Sequence, residues 1–245
     1  MNRRLIFSVL AMAAASLAAP ALAADAVRIG TEGAYPPYNF INENGEVDGF
    51  EREVGDEICK RAELTCTWVK NDWDSIIPNL VSGNFDMIMA GMTITAERDA
   101  VIDFTQDYFP PDPSAYVALK GAGDDVIHGV VASQTASIQA AHVAESDATL
   151  MEFATFDDSV AAVRNGEADA VLADRGFLED IVNESDGEMV FVGPDVEIGD
   201  GIGVGVRESD GDLKARLDAA ISSMKEDGSL NVLLSKWFDG MDDVY

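Results

Sequence analysis

The clearest chemistry in the chain lies in Gly91-Met92-Thr93-Ile94-Thr95-Ala96-Glu97-Arg98. The segment follows an apolar, strand-like stretch, Asp86 to Ala90, and leads into a helical pattern that opens over Thr95 to Asp99. Ligands of open α/β sheets settle at the carboxyl ends of strands. Free amides at a helix start favour an anion. Thr93 supplies a hydroxyl donor, and Arg98 supplies a guanidinium whose parallel N–H groups suit a carboxylate. A plainer arrangement fits the same residues, with Thr95 capping a short helix and Arg98 in solvent. Residue type alone leaves both open.

Other reactive side chains are sparse. Cys59 and Cys66 are the two cysteines, and an even count in an exported chain suggests a disulfide. Closing so short a loop contributes about 2–3 kcal/mol on the chain-entropy account. Two thiols at this spacing lack the further ligands that zinc needs. His128 and His142 have no Cys or His neighbour in sequence that would suggest coordination. Neither a metal nor a cofactor is expected. No Ser/His/Asp set or nucleophilic thiol stands out, so no catalytic residue is assigned. Glu32 is the one candidate acid or base.

The N-terminus reads as an export signal. Arg3 and Arg4 precede an apolar run, Leu5 to Leu17, and Ala21-Leu22-Ala23 makes a small-x-small cleavage site. Residues 1–23 are therefore expected to be a signal peptide. The run is short for a bilayer span of roughly 20 apolar residues. No cysteine near the cleavage site could carry a lipid. The expected location is the periplasm of a Gram-negative bacterium, with no membrane insertion of the mature chain. The formal net charge of -29 argues against nucleic acid as a partner, because phosphate would be repelled. It suits a highly solvated surface and, secondarily, attraction of cationic solutes. Apolar residues, at 47%, suffice for a sizeable core.

The elements that must hold these side chains alternate along the chain. Val27 to Thr31 reads as a strand, Gly33 to Pro37 as a turn, and Phe40-Ile41 with Asn44-Gly45 as a small hairpin. Phe50, Val54, Ile58 and Ala62 recur every fourth residue on one helical face. Thr65 to Val69 is strand-like. Asp74 to Val81 reads as a short helix with Asp74 as its N-cap. Ala115 to Leu119, Gly129 to Val131, Ala168 to Leu172 and Ile202 to Val206 read as strands. Asp157 to Asn165 reads as a helix with Val160 and Val163 inward, and two further helices start at Asp212 and Ser229. This alternation predicts α/β layers with largely parallel sheets. Breakers cluster at Pro110-Pro111-Asp112-Pro113 and over Gly193 to Gly203. Two breaks far apart suit one lobe interrupted by another, with the chain crossing twice. Lobe 1 is expected over residues 24–110 and 204–245, and lobe 2 over residues 111–203.

A set of motifs then occurs in a fixed order: Gly30-Thr31-Glu32-Gly33-Ala34-Tyr35-Pro36-Pro37-Tyr38, Gly49-Phe50-Glu51, Cys59-Lys60-Arg61, and Trp73-Asp74-Ser75-Ile76-Ile77-Pro78-Asn79-Leu80. Gly83-Asn84-Phe85-Asp86, Thr93-Ile94-Thr95-Ala96-Glu97-Arg98, Asp103-Phe104-Thr105, Gly166-Glu167-Ala168-Asp169-Ala170 and Gly203-Val204-Gly205-Val206-Arg207 follow. With these the chain resembles, over essentially its whole mature length, the bacterial extracellular solute-binding proteins of family 3. These are the polar amino-acid binders of ABC uptake systems, and the lysine/arginine/ornithine, histidine and opine binders look nearest.

The resemblance implies a type II periplasmic binding-protein fold, two α/β lobes joined by two crossover segments. It also implies a monomer that closes on a free amino acid and serves an ABC transporter permease. Arg98 would pair with the ligand's α-carboxylate, helped by donors from Gly91 and Thr93. Asp174, just past the strand Ala168 to Leu172, would accept the α-ammonium, and Thr135 would close on the carboxylate from lobe 2. Glu32, Tyr35 and Trp73 would face the ligand's side chain. A carboxylate beside two aromatics suits a cationic tip, so arginine, lysine, ornithine or a related opine is expected. A neutral polar amino acid such as glutamine or histidine is the alternative ligand. A periplasmic cyclohexadienyl or arogenate dehydratase is the enzymatic alternative, and a sensory module feeding a separate receptor is another. Two departures stand out. Ala132-Ser133-Gln134-Thr135 lacks the Gly that many relatives carry just before Thr135, and the hinge segment Pro110-Pro111-Asp112-Pro113 is rich in proline.

Overall fold

The computed structural model describes residues 25–245. The signal peptide expected over residues 1–23 lies outside them. Lobe 1 begins with β1 (Asp25–Thr31) and a small sheet of β2 (Ala34–Tyr35), β3 (Asn39–Ile41) and β4 (Val47–Asp48). Then come α1 (Phe50–Arg61), β5 (Leu64–Lys70), α2 (Ile76–Val81), β6 (Met87–Ile88), α3 (Ala96–Asp99) and β7 (Asp103–Phe109). The chain crosses over at residues 110–113. In lobe 2 follow β8 (Ser114–Leu119), β9 (Val130–Gln134), α4 (Ile138–Glu145), β10 (Thr149–Phe153), α5 (Phe156–Arg164), β11 (Ala170–Asp174), α6 (Arg175–Glu184) and β12 (Met189–Val196). A second crossover, residues 197–201, returns it to β13 (Ile202–Val206), α7 (Gly211–Glu226) and α8 (Ser229–Trp237) in lobe 1.

Each lobe has a five-stranded sheet, ordered β5-β1-β6-β13-β7 in lobe 1 and β10-β9-β11-β8-β12 in lobe 2. The sheets are mixed rather than largely parallel. β13 runs antiparallel to β6 and β7, and β8 runs antiparallel to β11 and β12. The crossovers account for this. β8 and β13 are the strands that enter a lobe from the hinge, so they run away from the cleft. The other strands of each main sheet run toward it and present their carboxyl ends there.

The helical and strand patterns are satisfied by burial. Phe50, Val54 and Ile58 of α1 are fully buried against the lobe 1 sheet, and Val160 and Val163 of α5 do the same in lobe 2. The disulfide joins Cys59 of α1 to Cys66 of the adjacent β5. Three details differ from expectation. Asp74 caps no α-helix, because a 3₁₀ turn over Trp73–Ser75 precedes α2 and puts Ser75 at the cap position. β11 starts later than Ala168, so Asp174 is its last residue and the N-cap of α6. β7, α4, β10, α6 and β12 were not read from the sequence. Among the described residues no helix is long and apolar enough to cross a membrane.

Candidate functional site

Strand ends from both lobes converge on one cavity. Lobe 1 contributes Glu32 just after β1, then Gly91 and Thr93 beyond β6, Trp73, and Arg98 from α3. Lobe 2 contributes Gln134 at the end of β9, Ser137 and Gln139 at the start of α4, and Asp174 at the end of β11. Seven of the eight residues expected at the site line this one cavity. Thr135 does not.

The plainer arrangement holds for Thr95 but not for Arg98, which is not in solvent. The Thr95 hydroxyl caps α3 by accepting from the Arg98 backbone N–H at 3.3 Å, while the Arg98 side chain lines the cavity. Its Nη1 donates to the Thr93 carbonyl at 2.8 Å, and its Cζ lies 5.2 Å from the centre of the Trp73 ring. No carboxylate of the described residues forms an ion pair with it. Burial pulls its pKa down to about 10, which the charges of Asp174 and Glu97 partly oppose. A desolvated guanidinium with N–H groups to spare, facing a cavity, is a receptor for a carboxylate.

Asp174 offers the opposite charge. Its Oδ2 accepts from the Tyr35 hydroxyl at 2.6 Å, across the lobes, and its Oδ1 accepts from Gln139 Nε2 at 2.7 Å. Burial raises its pKa, and the Tyr35 bond, the Arg98 charge and the Gln139 bond lower it in turn. Two donors leave part of the carboxylate's acceptor capacity free for an ammonium. Tyr35 is thereby a bridge between lobes as well as a wall. Its ring stacks on Phe177 at 4.7 Å and on Tyr38 at 5.4 Å, with Phe156 tilted at 5.3 Å.

Glu32 occupies a separate wall. It is 5% exposed, and its Oε1 accepts from Gln134 Nε2 at 2.6 Å, again across the lobes. Desolvation pushes its pKa up to about 7, against the Gln134 hydrogen bond. With Trp73 and Phe156 also on the cavity wall, this is a place for a charged or polar tip flanked by rings.

At two of the expected positions the backbone N–H is spent within the protein. The Gly91 N–H donates to Glu51 Oε1 at 2.7 Å. The left-handed φ of +63° at Gly91, with Tyr35 packed 3.2 Å from where a Cβ would stand, aims the amide that way. Thr135 donates its backbone N–H to the Phe153 carbonyl. Gln134 at the end of β9 lines the cavity, and Thr135, the residue after the strand, is not among its lining. The chain then reverses at Ala136, whose φ is +60°, and presents Ser137 as the N-cap of α4. Ala136 takes the left-handed position without a glycine.

Glu51 stands in the Gly49-Phe50-Glu51 motif, and no local pattern marks its role. It is fully buried and accepts three hydrogen bonds, from Gly91 N–H, the Tyr108 hydroxyl and Asn39 Nδ2. Asn39 Oδ1 in turn accepts from the Gly33 N–H. Glu51 thus ties the loop carrying Glu32 to the loop carrying Thr93. Burial raises its pKa, offset by those three bonds. Glu51→Gln puts an amide donor where only donors converge. It is expected to cost about 1–3 kcal/mol of stability in chemical denaturation, and an unchanged midpoint would count against this role.

Comparison with known proteins agrees with the geometry. Residues 27–240 match the bacterial extracellular solute-binding proteins, family 3. The L-arginine-binding protein of Pseudomonas aeruginosa is 32% identical, with 96% of each chain covered. The lysine/arginine/ornithine-binding periplasmic protein of Escherichia coli is 30% identical, with 88% of each covered. Among solved structures, a periplasmic His/Glu/Gln/Arg/opine family-binding protein from Silicibacter pomeroyi, in complex with lysine, is 67% identical. It superposes with a TM-score of 0.87 over 89% of this chain and 100% of its own. On the match over most of its length and the shared two-lobe fold, the chain belongs to the bacterial extracellular solute-binding proteins of family 3.

Proposed function

We propose that this protein captures a free cationic amino acid (lysine, ornithine or arginine, or an opine built on one) and delivers it to an ABC transporter permease. The family is one of solute-binding, non-catalytic proteins, and periplasmic localisation is typical of it. One observation carries the choice of ligand class. A single cavity holds a guanidinium, Arg98, that has no carboxylate partner among the described residues, and two separate carboxylates, Asp174 and Glu32. A zwitterion uses Arg98 and Asp174, and Glu32 is left over for a third, positive group. The lysine in the Silicibacter relative and the names of the two curated relatives support the same class.

A panel of free amino acids in a thermal-shift assay tests this. A ligand at a hundred times its dissociation constant stabilises by about 2.7 kcal/mol. For a chain this size that raises Tm by roughly 5–10 °C. Lysine, ornithine or arginine is expected to produce the shift. The reading fails if only neutral or acidic amino acids do so. A neutral polar ligand such as glutamine is the second reading. It is favoured if Glu32, with its pKa near 7, stays protonated in the complex.

A further inference from the structure

Gln134 is a cavity residue whose oxygen has no donor among the described residues. The residue ends β9 and is 2% exposed. Its Nε2 donates to Glu32 Oε1 at 2.6 Å and to the Ala154 backbone carbonyl at 2.9 Å. Both amide protons are therefore spent on acceptors, the ionised Glu32 carboxylate and the Ala154 carbonyl. The amide then has one orientation, nitrogen toward Glu32 and Ala154 and oxygen away from them. Among the described residues no donor reaches that oxygen, and the side chain lines the cavity.

We propose that Gln134 determines specificity by joining Glu32 in an acceptor pair, one oxygen from each lobe, that reads a primary ammonium at the tip of the ligand. The proposal rests on the cationic reading above and narrows it to lysine and ornithine over arginine. An ammonium is a compact charge with three donors, so it can meet Glu32 Oε2 and the Gln134 carbonyl at once. A guanidinium is a planar fork that prefers both oxygens of one carboxylate edge. Here Gln134 Nε2 already sits on Oε1 of Glu32. Arginine would have to share that oxygen or displace the bond that holds the lobes together at this wall. Because Glu32 follows β1 and Gln134 ends β9, the pair exists only when the lobes meet, so the tip is read at closure.

Calorimetric titration of the wild type and of Gln134→Met with L-lysine and L-arginine tests the assignment. The wild type is expected to bind lysine about tenfold or more tighter than arginine. In Gln134→Met the lysine affinity is expected to fall about tenfold and the arginine affinity by less than about threefold, so the preference collapses. A residue that merely supported closure would weaken both ligands by the same factor. Equal weakening, or no change in the ratio, overturns the proposal and leaves the cationic reading standing, as does a wild type that prefers arginine. A wild type that binds neither ligand overturns both. The melting temperature without ligand reports whether the variant folds. If Gln134→Met does not fold, Gln134→Asn carries the same ratio test, because the shorter amide withdraws its oxygen from the ligand.

Discussion

Arg98→Met is expected to abolish measurable amino-acid binding while leaving the unliganded protein at least as stable as the wild type. The two halves of this result have one cause. In the structure the Arg98 guanidinium is desolvated, has one hydrogen bond, to the Thr93 carbonyl, and has no carboxylate partner among the described residues. Its lowered pKa, about 10, has burial as its main cause and records that the charge is poorly accommodated. A buried charge without its partner destabilises the fold, and a site held ready for a ligand is where such a cost is tolerated. Methionine keeps an unbranched apolar stem against Trp73 and removes the charge. Two charge-assisted hydrogen bonds to the ligand carboxylate are then lost, at about 1.5–3 kcal/mol each. That corresponds to a loss of roughly 10²–10⁴-fold in affinity. Calorimetry reads the first half and thermal melting without ligand reads the second. Affinity retained within about tenfold would remove Arg98 from the ligand carboxylate. A much lower melting temperature would show that Arg98 holds the fold instead.

How much of the site could be read from the chain follows from where its contacts lie. Gly91, Thr93 and Arg98 sit within eight residues between a strand and a helix, so local pattern was enough to bring them together. The helical faces of α1 and α5 were equally plain, because each buries a repeat of apolar residues that spacing alone reveals. Gln134, which lines the cavity, and the expected Thr135 differ by a single position. In a strand one position is the difference between facing the cavity and facing away, and the end of β9 is fixed by pairing with β10 and β11 rather than by its own sequence. Glu51 was hidden for a different reason. An acid in the first turn of a helix is ordinary at a surface, and nothing local shows that Tyr108, 57 positions on, and Gly91 close over it. The missed strands β10 and β12 carry charged or proline residues within short apolar runs, so neither period stands out. The mixed sheets follow from the double crossover, which was read. Its consequence for the direction of β8 and β13 required the hinge geometry.

The affinity for lysine is expected to rise with pH up to about 7 and then level off, and Glu32→Gln is expected to remove that rise. Glu32 has its pKa raised to about 7, with desolvation the largest cause. Asp72 and Asp157 add to the rise, while Gln134 and Lys70 oppose it. Only the ionised form pairs with an ammonium, which stays charged throughout this range. Below pH 7 the carboxyl must first give up its proton, at about tenfold in affinity per pH unit. At pH 5 binding should therefore be about a hundredfold weaker than at pH 8. The same shift has an opposite sign in the stability of the unliganded protein. A carboxyl whose folded pKa lies above its ordinary value binds more protons when folded. Its contribution is fully present below about pH 4.5 and is lost as pH rises through about 7, an amount of roughly 3 kcal/mol as an upper bound. Measured against Glu32→Gln, the unliganded wild type should lose relative stability over the range in which it gains affinity. Opposite slopes in the two measurements identify Glu32 as the group that the ligand's positive tip keeps ionised. Parallel slopes, or a pH dependence that survives in Glu32→Gln, would place the titrating group elsewhere.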